Sequence, residues 1–240
     1  DFRFGTSKEV HFMLEEAHDK DMNIILDYVA NHVHEEHPLY KKHPDWVTPL
    51  YLPDSTLNTE KWDEYRLTTW FDTFMPTLDL ERPEVYEPMT DSALFWVTQY
   101  SFDGFRHDAT KHIPEVFWRT LTRKIKKNVP PDKPIFQIGE TYGSHELISS
   151  YIGSGMLDSQ FDFNVYDAAT AVFARTDVPF ASLHNRLVEG FGYYGWNNLM
   201  GIITGNHDKA RFISYAGRAL SFDEDAKLSL IHISEPTRPY

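Results

Sequence analysis

Gly104-Phe105-Arg106-His107-Asp108-Ala109-Thr110-Lys111-His112 is the stretch on which the reading of the fold turns. The apolar run Phe102 to Arg106 predicts a short buried strand, and it ends in a dense group of ionisable side chains. A helix is expected next, over Pro114 to Lys127. Pro114 suits its first turn, Lys124, Lys126 and Lys127 suit the negative end of its dipole, and Pro130-Pro131 stops it.

The same alternation repeats outward in both directions. Upstream, Thr6-Ser7-Lys8-Glu9 reads as a capping box that opens a helix through Lys20. The nearly continuous apolar run Asn23 to Val29 then reads as a buried strand of a parallel sheet. A helix over Asp91 to Tyr100 leads into the strand at Phe102. Downstream, strands are expected over Ile135–Gly139, Gln160–Asn164 and Leu199–Thr204, with helices near Ser144–Ile152 and within Asp167–Glu189. Repeated strand-helix units mean an α/β fold.

Composition removes several function classes. The chain has 240 residues, enough for one medium domain or for a piece of a larger one, and no internal repeat stands out. Its formal charge of −13 argues against nucleic acid and anionic membrane surfaces as partners. The absence of cysteine removes disulfides, thiolate metal sites and cysteine nucleophiles. No run of about 18 apolar residues is present, so no membrane insertion is expected.

Between Val33 and Thr90 the strand-helix rhythm breaks, and seven of the 14 prolines fall there with Trp46, Trp62 and Trp70. A structureless loop of that length is improbable in a compact domain, so an inserted, packed subdomain is expected to cover a functional face. Its tryptophans and Tyr65 could stack on a ligand, but aromatics of such a segment usually form its core. His34-Glu35-Glu36-His37 lacks the spacing of the helical zinc motif, and solvated loop histidines are the better account.

Ionisable clusters follow three of the proposed strands besides the one quoted first: Asp27 to His32, Gly139-Glu140-Thr141, and Gly205-Asn206-His207-Asp208. In a (β/α) barrel the C-terminal strand ends converge on one face, which would gather Asp108, Glu140 and Asp208 in one pocket. Carboxylates that close repel one another unless cations offset them, and Arg106 is placed to do so.

Taken in order, the four clusters resemble the four signature regions of glycoside hydrolase family 13, the α-amylase family, and Met75-Pro76-Thr77-Leu78-Asp79 resembles its additional fifth signature. The resemblance implies a retaining mechanism on α-linked glucans, with Asp108 as nucleophile and Glu140 as general acid and then base. It implies that acidic neighbours keep a proton on Glu140, that Asp208 favours the distorted sugar ring, and that Arg106 aims Asp108. His32 and His207 would bind hydroxyls of the sugar being cleaved, and Lys111 and His112 would face the leaving-group side. Asp27 is expected to orient Arg106. Asn31 matches a calcium ligand of many family members; no cofactor is required on this reading, and calcium is the one it allows. The partner implied is an α-glucan oligo- or polysaccharide, which suggests a periplasmic or secreted location. Met75-Pro76 and Arg211 to Tyr215 lean towards the neopullulanase and cyclomaltodextrinase branch, although Asp79 stands where that branch usually has Asn. The rival reading is a non-catalytic, amylase-like binding or assembly module. Such relatives typically lose one or more of the three carboxylates, and all three are here.

The expected organisation is an incomplete TIM (β/α)8 barrel, residues 1–32 and 90–227, with residues 33–89 inserted between a strand and the following helix. About five strands are expected where a closed barrel has eight, and the family resemblance implies that the first two and the last are the missing ones; an open barrel exposes unpaired edges, so this polypeptide alone is expected to be poorly soluble or inactive. Asp1 to Thr6 has neither an initiator Met nor a signal-peptide pattern. Leu228 to Arg238 resembles the in-frame translation of a transposase sequencing adapter, so residues 228–240 are expected to be a non-native tail.

Overall fold

In a computed structural model, which describes residues 5–216, four parallel strands lie side by side in chain order: β1 (Ile25–Tyr28), β2 (Gly104–His107), β3 (Phe136–Gly139) and β4 (Ser159–Gln160). Helix α1 (Ser7–His18) precedes β1 and opens with the expected capping box, Thr6 and Glu9 bonding reciprocally. Its far end is tied to the sheet by Asp103, whose Oδ2 lies 2.9 Å from His18 Nε2 and accepts the Ile24 N–H at 2.7 Å.

Register fixes which side chains share a face. Asp27 pairs with Arg106 and Arg106 with Ile138. Side chains alternate along a strand, so Phe105 and His107 point one way while Arg106 and Asp108 point the other. Phe105 and His107 are buried against helix α4 (Glu115–Asn128), where the His107 ring lies 4.8 Å from Trp118. Helix α3 (Pro83–Gln99) packs beside α4, and Lys124 of α4 holds Asp91 and Glu87 of α3 through ion pairs of 2.6 Å each. Phe117, Trp118, Leu121 and Val85 are inaccessible to solvent at the heart of this core.

Three expectations about elements need correction. Helix α3 starts at Pro83, not Asp91, so the irregular segment ends at residue 82: Pro83 stands in the first turn, where its missing N–H costs nothing, and Pro88 is accommodated inside the helix. The strand placed at Gln160–Asn164 is instead β4 with a helix start. Asp162 accepts the Val165 N–H at 3.1 Å and so caps α6 (Phe163–Ala174). The strand expected over Leu199–Thr204 is reduced to one parallel bridge, Phe161 with Gly201. The helix expected near Ser144–Ile152 is α5 (His145–Ser150), and the helical stretches expected within 167–189 belong to two helices that extend beyond those bounds, α6 and α7 (Ala181–Tyr194). Four strands and this bridge thus stand in place of the five strands expected, and residues 228–240 lie outside the described residues.

The chain divides into two compact units, Asp1–Tyr142 with Ser150–Gln160, and Gly143–Ser149 with Phe161–Tyr240. The first contains the four-stranded sheet, α1, α3, α4 and the segment between β1 and α3. That segment carries one short helix, α2 (Pro38–Lys42), and is otherwise joined by isolated bridges such as His32 with Thr77 and Val47 with Leu78. Trp70 anchors it, buried and donating its indole N–H to the Thr48 carbonyl at 2.9 Å. The second unit contains α6, α7 and α8 (Phe212–Ala216).

Candidate active site

Two carboxylates are presented just beyond the C-terminal ends of neighbouring strands. Asp108 follows β2 and Glu140 follows β3, and pairing continues one residue past each strand: Asp108 N–H donates to the Tyr28 carbonyl at 3.2 Å, Glu140 N–H to the His107 carbonyl at 2.9 Å. The backbone at both residues is therefore held by the sheet. Thr110 adds a second tether, its Oγ1 accepting from Glu140 N–H at 3.0 Å and its own N–H donating to the Glu140 carbonyl at 2.9 Å. The turn that allows this places Ala109 in the left-handed region at φ 48°.

Arg106 joins the two acids. Its Nη1 donates to Asp108 Oδ1 at 2.6 Å and to Asp27 Oδ1 at 2.8 Å, and its Nη2 donates to Glu140 Oε2 at 2.5 Å. Arg106, Asp108 and Glu140 are each less than a fifth exposed, so solvent screens these charge-assisted bonds only weakly. Burial opposes the guanidinium charge, but Glu140, Asp27 and Asp108 outweigh it and hold the Arg106 pKa above its ordinary value. The reading from sequence surrounded Glu140 with acid; here a cation sits directly on it. Only Oε2 of Glu140 is engaged by Arg106, and it can accept there whether or not the carboxyl carries a proton, so a proton to be donated would sit on Oε1.

The remaining candidates divide between the two units. His32 is mostly buried, 4.4 Å from the Phe71 ring, and burial lowers its pKa although the Asp108 charge acts in the opposite direction. Lys111 and His112 lie in a short 3-10 turn, both buried. Lys111 Nζ reaches Asp63 Oδ1 at 3.0 Å, and the His112 ring lies 5.1 Å from Phe71 and 5.6 Å from Trp62. Trp62 thus stands at the site, whereas Trp70 is core and Trp46 stacks on His43. Asp208 and His207 are carried by the second unit, both well exposed, with His207 Nε2 3.2 Å from Asp208 Oδ2 and the Asp208 N–H held by Asn206 Oδ1 at 3.0 Å.

Asn31 is inaccessible to solvent and its Oδ1 has no hydrogen-bond partner, as a cation ligand would require. It is one oxygen, however. Among the described residues no group of three or more His, Asp or Glu side chains is placed to hold a metal ion, whereas calcium takes six to eight oxygens. Carboxylates and histidines of the described residues do not by themselves make a calcium cage, and no step of the chemistry passes through one. The loop histidines have local partners: His34 Nδ1 accepts the Glu36 N–H at 3.1 Å, and His37 Nδ1 caps α2. Among the described residues no helix is long and apolar enough to cross a membrane.

Sequence reasoning missed Arg66, Asp63 and Tyr151. All three contact Lys111, from positions 40 to 48 residues away in the chain. No local pattern marks such partners.

Comparison with known proteins agrees with this geometry. A family model described as the alpha-amylase catalytic domain matches residues 1–237. The chain is 27% identical to Alpha-amylase 3 of Dictyoglomus thermophilum, an alignment that covers 99% of this chain and 49% of that protein. It is 25% identical to a cyclomaltodextrinase of Geobacillus thermopakistaniensis, with 90% and 37% covered. Among solved structures, the α-amylase of Geobacillus thermoleovorans superposes with a TM-score of 0.78 at 30% identity, over 92% of this chain and 48% of that one. An Anoxybacillus α-amylase superposes at 0.79 and 27% identity, over 95% and 50%. The chain spans half or less of the length of these relatives, and its parallel sheet corresponds to part of their TIM barrel. The ordered strand-end clusters, the paired carboxylates and the match along nearly the whole chain lead to one conclusion: the chain belongs to the α-amylase family of glycoside hydrolases.

Proposed function

We propose that the full-length protein carrying this chain is a retaining glycoside hydrolase that cleaves α-1,4-glucosidic bonds in starch-derived glucans, maltodextrins or cyclodextrins. The observation that carries this reading is the pairing of Asp108 and Glu140 through one guanidinium at the ends of adjacent parallel strands. An Asp108 carboxylate oxygen attacks the anomeric carbon as the bond from that carbon to the glycosidic oxygen breaks, and Glu140 gives its proton to the departing oxygen. The product is a β-linked glycosyl ester on Asp108 and a free sugar hydroxyl. Glu140, now a carboxylate, takes a proton from water while the water oxygen attacks the same carbon, releasing Asp108 and restoring the α configuration. Arg106 aims Asp108 through its hydrogen bond to Oδ1, since a planar fork of permanent charge fixes direction. Asp208, with His32 and His207, would bind the hydroxyls of the sugar being cleaved, and Lys111 and His112 those of the leaving group.

Reducing-end release from soluble starch, pullulan and β-cyclodextrin tests the reading. Faster release from cyclodextrin than from starch places the protein near the cyclomaltodextrinases, and the reverse near ordinary α-amylases. A folded full-length protein that releases nothing from any of the three would replace this reading with that of a non-catalytic binding module.

A further inference from the structure

The segment between β1 and α3 grips the turn that carries Lys111 and His112, and most of that grip passes through one residue. Arg66 is half-buried, and its Nη1 donates to the Lys111 carbonyl at 2.6 Å and to the Tyr151 hydroxyl at 2.9 Å. Tyr151, itself buried, donates its hydroxyl to the same Lys111 carbonyl at 3.3 Å. The Arg66 backbone carbonyl lies 2.7 Å from His112 Nδ1. A carbonyl oxygen only accepts, so Nδ1 must carry the hydrogen. Burial, with the Lys111 and Arg66 charges alongside, outweighs this hydrogen bond and brings the His112 pKa down to about 4, so the ring is neutral at ordinary pH and its Nε2 is an acceptor.

We propose that Arg66 is a positioning residue for the leaving-group side of the site, its guanidinium fixing the Lys111–His112 peptide and its carbonyl fixing the His112 tautomer, so that Nε2 accepts from a hydroxyl of the departing sugar. This rests on the reading of Lys111 and His112 given under the proposed function. Arg66 acts on the leaving group and not on the bond-breaking pair, because the backbone of Glu140 is held independently by β2 through the His107 carbonyl, and that of Asp108 by β1 through the Tyr28 carbonyl. A sugar whose leaving group is too small to reach His112 should therefore be indifferent to Arg66.

The test compares maltopentaose, whose leaving group is a sugar, with α-maltosyl fluoride, whose leaving group is a single atom, in the full-length protein. For Arg66→Ala, kcat/KM on maltopentaose is expected to fall about tenfold or more, mostly through KM, while that on the fluoride stays within about twofold. Arg66→Lys, which keeps one donor, should recover part of the loss. Should Arg66→Ala fail to fold, Tyr151→Phe removes one hydroxyl without changing shape and should cost about threefold on maltopentaose alone. Equal losses on both substrates would reduce Arg66 to a structural clamp, and no loss on either would remove it from the site; both outcomes overturn the proposal. A folded wild-type protein that turns over neither substrate would instead overturn the functional reading, and the proposal with it.

Discussion

Arg106 donates to three carboxylates, Asp27, Asp108 and Glu140, at the mouth of the strands. Asn in place of Asp108 keeps the shape and one hydrogen-bond acceptor but removes the charge and the nucleophile. Asp108→Asn should therefore lower kcat by at least about a thousandfold in the full-length protein with the circular dichroism spectrum unchanged. Retained turnover would take the nucleophile's role from this residue. His107, between these two residues in sequence, faces the other way and gives a different prediction. It is fully buried, and burial, aided by the Arg106 charge and opposed by the Gln137 hydrogen bond, brings its pKa to about 4. An unfolded histidine titrates near 6.5, so between pH 6.5 and 4 the unfolded chain binds a proton that the folded chain refuses. Stability should thus fall as pH falls through that window, by at most about 3 kcal/mol from this residue, and urea melts of His107→Asn should show a shallower fall than those of the parent. Asp108, Glu140 and Arg106 were legible in the sequence because strand alternation and a sharp strand end announce them. Arg66 and Tyr151 were not, because what makes them part of the site is a contact across 40 or more residues of chain.

At the scale of elements, strand β2 carries Arg106 and leads into Asp108 while pairing with β1 on one side and β3 on the other. Gly104 opens it at a point of close approach: a Cβ there would stand 2.0 Å from the Phe136 carbonyl oxygen, a backbone atom that cannot rotate away, and 3.1 Å from Ile25. Gly104→Ala should therefore separate β2 from β3 and destabilise the chain by about 3 kcal/mol or more, read as a fall in the denaturation midpoint. A midpoint within experimental error of the parent would show that the sheet can slide to admit a methyl. The apolar runs behind β1, β2 and β3 were plain in the sequence, as was the capping box of α1. The start of α3 was hidden because Pro83 and Pro88 carry the same chemistry as the proline-rich segment before them, and only the packing of Val85 against the core shows that the helix has begun. Beyond β4 the apolar pair Phe163 and Val165 mimics a strand. The competing signal, Asp162 as a helix cap, is the one that prevails.

Across the whole chain, two properties oppose each other in solution. A formal charge of −13 keeps molecules apart, while among the described residues β1 is an edge strand with no strand paired on its outer side, next to the half-exposed Ile25 and Val29. The helix leading into β1 exposes Phe12 and Met13 as well. Net charge acts over about 8 Å at physiological salt and fades as salt rises, whereas edge pairing and apolar contact do not depend on it in that way. The 240-residue chain is therefore expected to be monomeric at low ionic strength and to associate as salt increases, and light scattering should then show masses above the 28.0 kDa monomer. Ile25→Lys places a charge on the edge strand itself, the device by which natural sheets discourage such pairing, and should suppress the association. If the lysine variant associates as readily as the parent, the contact does not run through β1, and the exposed face of α1 becomes the surface to alter next.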